Sequence, residues 1–103
     1  MSVAYIAGPM RGLPDLGRAN FRHAEVQLRE AGWKVINPAI LPTDLPDAAY
    51  MPICLSMLDQ ADTVFMLPDW QKSYGANIEH AYAVSRVKKI VYMEVSVCAT
   101  SKG

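Results

Sequence analysis

Eleven residues, Asp69 to Glu79 ("DWQKSYGANIE"), gather two carboxylates, an indole, a hydroxyl and a glycine in one short stretch. Ser73 and Gly75 fall where a helix is expected to begin, and the free N–H groups and dipole of a helix N-terminus favour an anion. Ser73 is either the N-cap of that helix or a donor to a bound phosphate. Glu79 lies about one turn further in. A carboxylate there points either to water or into a cleft, where it can serve as a nucleophile. Asp69 is the candidate second acid, and Trp70 either stacks on a planar base or covers the edge of the core. His80 diverges from Glu79 by about 100° around the helix, so it reads, like His23, as a surface residue.

Two features elsewhere bear on the same chemistry. Tyr5 sits inside the apolar run "SVAYIAG", and a buried phenol needs a polar partner. That partner is either a backbone group or, if the first and third strands are neighbours, the carboxylate of Glu79. The run ends in "GPMRG", which brings Gly8, Pro9 and Arg11 to the end of the first strand. Glycine lets backbone N–H groups approach a ligand, and arginine holds an oxyanion with a fork of donors; the alternative is a tight turn with a solvated arginine. No Gly-Lys-Ser/Thr follows, and the Gly-x-Gly-x-x-Gly spacing is absent, so neither a P-loop nor a dinucleotide fingerprint is present.

The elements that must position these residues alternate at short intervals. Strands are expected over "SVAYIAG", "WKVINP", "DTVFMLP" and "KKIVYMEV". Between them, Phe21, Ala24, Leu28 and Ala31 recur at helical spacing and Gly32 is placed to close that helix. Tyr50, Ile53, Met57, Leu58 and Ala61 share a face of a second helix, with Pro52 in its first turn. Ile78, Ala81 and Tyr82 are expected to face the sheet from a third. The β-α-β-α-β-α-β order implies an α/β fold, a small doubly wound, mostly parallel sheet of four to five strands, flavodoxin-like or Rossmann-like. Right-handed crossovers favour a strand order near 2-1-3-4. Ligands in such sheets bind outside the carboxyl ends of the strands, where the loops "GPMRGLPDLG", "NPAILPTDLP" and "PDWQKSYGAN" lie. Asp62, at the other end of the third strand, reads as structural.

Composition narrows the function classes. The 103 residues form one domain, 51% apolar, with ten basic and ten acidic side chains that cancel. That balance lacks the cationic footprint of a binder of nucleic acid polymers. The N-terminal apolar run is too short for a signal peptide or a membrane span, so a cytoplasmic protein is expected. Cys54 and Cys98 are remote from each other and from any ligand cluster, and they read as reduced packing residues, with no metal site.

The segments "YIAGPMRGLPDLGRANF", "GWKVINPA", "ADTVFMLPDWQKSYGANIEHAYA" and "KKIVY" resemble the nucleoside 2-deoxyribosyltransferase superfamily, in particular its small phage-associated branch. The resemblance spans roughly residues 3 to 93. It implies an enzyme that cleaves the N-glycosidic bond of 2′-deoxynucleosides or their 5′-monophosphates without a cofactor. Glu79 matches the family's nucleophile at C1′ and Tyr5 the tyrosine that orients it. Ser73, six residues before Glu79, and Arg11 match the 2′-deoxynucleoside 5′-monophosphate N-glycosidases, in which Pro9 is a serine. Many members complete the site from a neighbouring subunit, so a homodimer or larger homo-oligomer is expected. Ser96, Thr100 and Ser101 of the tail match too poorly to carry a role. The alternative is a non-catalytic nucleotide-binding or sensor protein on the same scaffold, and a third reading is a structural or interaction protein.

Overall fold

A computed structural model describes residues 2–94; Ser96, Cys98, Thr100 and Ser101 lie outside the described residues. Strand β1 (Val3–Ala7) leads to helix α1 (Arg18–Glu30), β2 (Lys34–Ile36), α2 (Asp47–Asp59), β3 (Thr63–Met66), α3 (Tyr74–Ser85) and β4 (Lys89–Tyr92). The four strands form one parallel sheet in the order β2-β1-β3-β4. Short 3₁₀ turns, Pro14–Gly17, Pro38–Ile40 and Trp70–Lys72, follow the carboxyl ends of β1, β2 and β3.

The two central strands are buried on both faces, and side-chain alternation sorts them into two cores. Ala4, Ile6, Phe65 and Leu67 pack against Phe21, Ala24 and Leu28 of α1. Tyr5, Ala7, Val64 and Met66 face the other way, onto α2 and α3. Pairing of Tyr5 with Val64 across the β1–β3 ladder holds the phenol in the sheet on the α2–α3 side. Strand parity therefore fixes which helices Tyr5 can meet.

Three helix details differ from the sequence expectation. Ala31 is exposed, because α1 ends at Glu30 and Gly32 reverses the chain at φ +97°. Helix α2 starts at Asp47, after Pro46, so Pro52 lies inside the helix rather than in its first turn. Its buried residues are Cys54 and Leu58, with Ala61 just beyond, while Tyr50, Ile53 and Met57 are half-buried. Helix α3 is rotated from the expected phase. Ala81 is exposed, and the buried face runs through Ala76, Glu79 and Ala83. These lie at i, i+3 and i+7, the spacing of a core stripe. A carboxylate thus occupies a position at which helical periodicity calls for an apolar side chain.

Candidate active site

At the carboxyl edge of the sheet, the loop after β1, the N-terminal part of α2, the loop after β3 and the first turns of α3 enclose a cleft of about 1170 Å³. Gly8, Pro9, Arg11, Cys54, Ser73, Gly75 and Glu79 all line it. Gly8 has no room for a side chain: a Cβ would lie 2.7 Å from that of Leu67. Gly17 adopts φ +70°, and a Cβ there would lie 2.8 Å from the Pro9 carbonyl oxygen. Gly75 is less constrained, since its Cβ would meet Met51 Cε at 3.3 Å.

At the floor of the cleft, Tyr5 is fully buried and Glu79 is 6% exposed. The Tyr5 hydroxyl donates to Glu79 Oε2. Glu79 Oε1 has no partner among the described residues, and none of their fully buried polar side-chain atoms is left unpaired. The free oxygen is therefore one that the cleft reaches. Burial pushes the Glu79 carboxyl up to about 7, against the opposing effect of the Tyr5 hydrogen bond. Loss of hydration outweighs one neutral donor, as expected for a carboxylate in a low-dielectric site. Burial, and then the Glu79 charge, hold the Tyr5 phenol well above its ordinary range, so it stays protonated and remains a donor.

Ser73 caps α3, its Oγ accepting from the Ala76 N–H at 3.2 Å. The cap uses a lone pair and leaves the hydroxyl proton free for a ligand. Arg11 reaches across the mouth of the cleft to Asp47 at the start of α2, Nη2 to Oδ1 3.1 Å, with both side chains largely exposed.

One expected site residue, Trp70, is placed differently. Trp70 does not line the cleft; it stacks on His80, with centroids 4.3 Å apart and planes 15° apart, and more loosely on Tyr92 at 5.9 Å. His80 Nε2 also bonds the Tyr92 hydroxyl at 2.7 Å. The indole therefore covers the core edge, and His80 is half-buried against it rather than free on the surface. Asp69 lines the cleft at its rim, left-handed at φ +66° and paired with Lys72 at 3.7 Å, with no hydrogen bond to Tyr5 or Glu79. Asp62 is structural, as expected: its Oδ2 accepts from the Val3 N–H and its Oδ1 from the Thr63 hydroxyl, both at 3.0 Å.

Cys54 is a free, buried cysteine, as expected of a packing residue. It packs in the same core cluster as Tyr5, and its thiol is raised by burial and by the Glu79 charge. Its spacing to Leu58 and Ala61 puts it on the α2 face that meets the Tyr5 side of the sheet. Among the described residues, no three His, Cys, Asp or Glu side chains are grouped to hold a metal, and no helix is long and apolar enough to cross a membrane.

Comparison with solved structures finds the same fold in a 2-desoxiribosyltransferase from Leishmania mexicana, with a TM-score of 0.71 and 20% sequence identity. The match covers 90% of this chain and 64% of that one, so this chain spans just under two thirds of the length of its structural relative. No curated protein matches the sequence. A family model described as "Domain of unknown function (DUF4406)" matches residues 2–92, and the chain belongs to that family.

Proposed function

We propose that this protein cleaves or transfers at the N-glycosidic bond of 2′-deoxynucleosides or their 5′-monophosphates, with Glu79 attacking C1′. The observation that carries the reading is the buried Tyr5–Glu79 pair at the ligand edge of the sheet, one carboxylate oxygen held and the other free. The free oxygen bonds to C1′ while the C1′–N bond breaks with its electron pair on the base, which leaves after taking a proton from water in the cleft. Water or a second base then attacks C1′ and releases the carboxylate, as in retaining glycosidases. Tyr5 orients the carboxylate throughout. Only ionised Glu79 attacks, so with its midpoint at about 7 the rate climbs through neutral pH.

Arg11 and Ser73 suit a 5′-phosphate. The exposed Arg11–Asp47 pair is worth at most about 1 kcal/mol, so a phosphate can take the place of Asp47, and the Ser73 hydroxyl proton is available beside it. The binding-only alternative draws on one observation: Asp69, the expected second acid, lines the cleft at its rim with no hydrogen bond to Glu79. Incubation with the four deoxynucleosides and their 5′-monophosphates, with and without an acceptor base, separates the readings. Free base, followed by chromatography, is expected from the wild type and not from Glu79→Ala. Ligand binding without base release favours the sensor. Loss of activity on monophosphates alone in Arg11→Ala assigns the phosphate site.

A further inference from the structure

The loop between β3 and α3 has two sides. Asp69, Lys72 and Ser73 line the cleft, while Trp70 and Gln71 do not. Those two are the residues that α3 grips. The Trp70 ring lies almost flat on the His80 ring, whose Nε2 is hydrogen-bonded to the Tyr92 hydroxyl of β4. Asn77 holds the backbone: its Nδ2 donates to the Gln71 carbonyl at 2.9 Å and to the Ser73 carbonyl at 2.8 Å. Asn77 and His80, three residues apart, share a face of α3, and neither lines the cleft. Ala76 and Glu79, on another face, do. One helix therefore carries the carboxylate on one face and grips a wall of the same cleft with another.

We propose that Asn77 and His80 are positioning residues, a clamp on the far side of the β3–α3 loop that fixes Asp69, Lys72 and Ser73 relative to Glu79. Its consequence for a 5′-phosphate beside Ser73 rests on the proposed reaction; the clamp itself is a property of the folded protein. A loop already held in place binds a ligand more tightly, because binding then orders nothing further.

The loop has little to hold it from within. Its internal bonds make one 3₁₀ turn, with the Lys72 N–H bonded to the Asp69 carbonyl and the Ser73 N–H to the Trp70 carbonyl, both at 3.0 Å. Such turns have poorer hydrogen-bond geometry than an α-helix. Asp69 is left-handed, a conformation that costs more than the right-handed one for any residue with a Cβ. The Asp69–Lys72 pair is largely exposed and adds little. A stacked ring pair and two hydrogen bonds from α3 supply what the turn lacks.

Amide hydrogen exchange, followed by NMR in the full-length protein, tests the clamp without turnover. His80→Ala is expected to speed exchange of the Lys72 and Ser73 amides by about 3- to 10-fold, and Asn77→Ala by a similar factor, with the amides of β1 and β3 unchanged. Trp70 keeps its packing against the core cluster in both variants, so the change reads the clamp alone. His80→Phe retains a ring for Trp70 to stack on and is expected to restore the wild-type rates. In steady-state assays the two alanine variants are expected to raise KM for the 5′-monophosphates by about 3- to 10-fold with kcat within twofold, and His80→Phe to restore KM. If His80→Ala does not fold, Trp70→Leu removes the same stack and is read by the same rule. Unchanged exchange at Lys72 and Ser73, faster exchange throughout the chain, or no rescue by His80→Phe would overturn the proposal. Absence of base release from the wild type would instead overturn the proposed activity and leave the exchange result standing.

Discussion

Two carboxylates sit at opposite ends of the β1–β3 pair, and their surroundings are opposites. Asp62, at the amino end, is exposed and accepts from the Val3 N–H and the Thr63 hydroxyl. Those bonds, the backbone one foremost, hold it below the ordinary carboxylate range. Glu79, at the carboxyl end, is buried, has one donor, and is pushed up to about 7. The first is a satisfied latch between strands. The second is a charge kept where folding alone would place an apolar side chain, and such unrewarded positions concentrate at functional sites. The contrast separates what holds the sheet together from what the sheet holds in place.

The largest effect that can break this contrast is on turnover. Glu79→Ala is expected to lower base release by at least ~10³-fold, as loss of a nucleophile does, while Asp62→Asn leaves the rate within about twofold; steady-state assays on folded variants check both. Comparable losses at the two ends would erase the distinction.

Much of this contrast was legible in the sequence, and the unread part has physical causes. Apolar runs ended by glycine and proline marked the four strands, and the helices between them implied the parallel order that is observed. Tyr5 was identifiable as the odd residue of its strand, and its side of the sheet follows from parity. The phase of α3 was not readable, because alanines at 76, 81 and 83 blur the hydrophobic period and a buried glutamate contradicts it. Trp70 could not be placed, since its partners His80 and Tyr92 come from α3 and β4.

Stability against pH sharpens the comparison, because the two ends carry opposite signs. Glu79 binds its proton more tightly folded than unfolded, so its contribution is full below the unfolded value of 4.5 and is lost as pH rises through about 7. Glu79→Gln is therefore expected to stabilise the protein at pH 8 by about 3 kcal/mol and to have no such advantage below pH ~4. Asp62, held low, contributes stability above its unfolded value that disappears as pH falls through the folded one, so Asp62→Asn destabilises at pH 7 and not in acid. Thermal melts of both variants across pH check the signs.

Tyr5→Phe probes the single bond that the buried end possesses. Removing a hydrogen bond to a charged group costs about 1.5–3 kcal/mol, so the rate at pH 7 is expected to fall by ~10- to 100-fold, with the midpoint of the pH–rate profile displaced upward. The smallest effect lies outside both ends. Helix α3 closes with the Lys88 N–H bonded to the Ala83 carbonyl and the Val87 N–H to the Val84 carbonyl, both at 3.0 Å. This pattern normally takes glycine at the left-handed position, yet Val87 occupies it at φ +57° and is 89% exposed. Val87→Gly is expected to stabilise by about 1 kcal/mol in denaturant unfolding, with base release unchanged.

The claim that Glu79 attacks C1′ is tested most directly by the stereochemistry of the product. With methanol as acceptor, proton NMR reads the anomeric configuration of the methyl 2-deoxyriboside formed from a β-deoxynucleoside or its monophosphate. Two displacements, with the sugar held on Glu79 between them, give net retention and a β-product. An inverted, α-configured product would mean that the acceptor attacks C1′ directly, and would contradict a glutamate nucleophile.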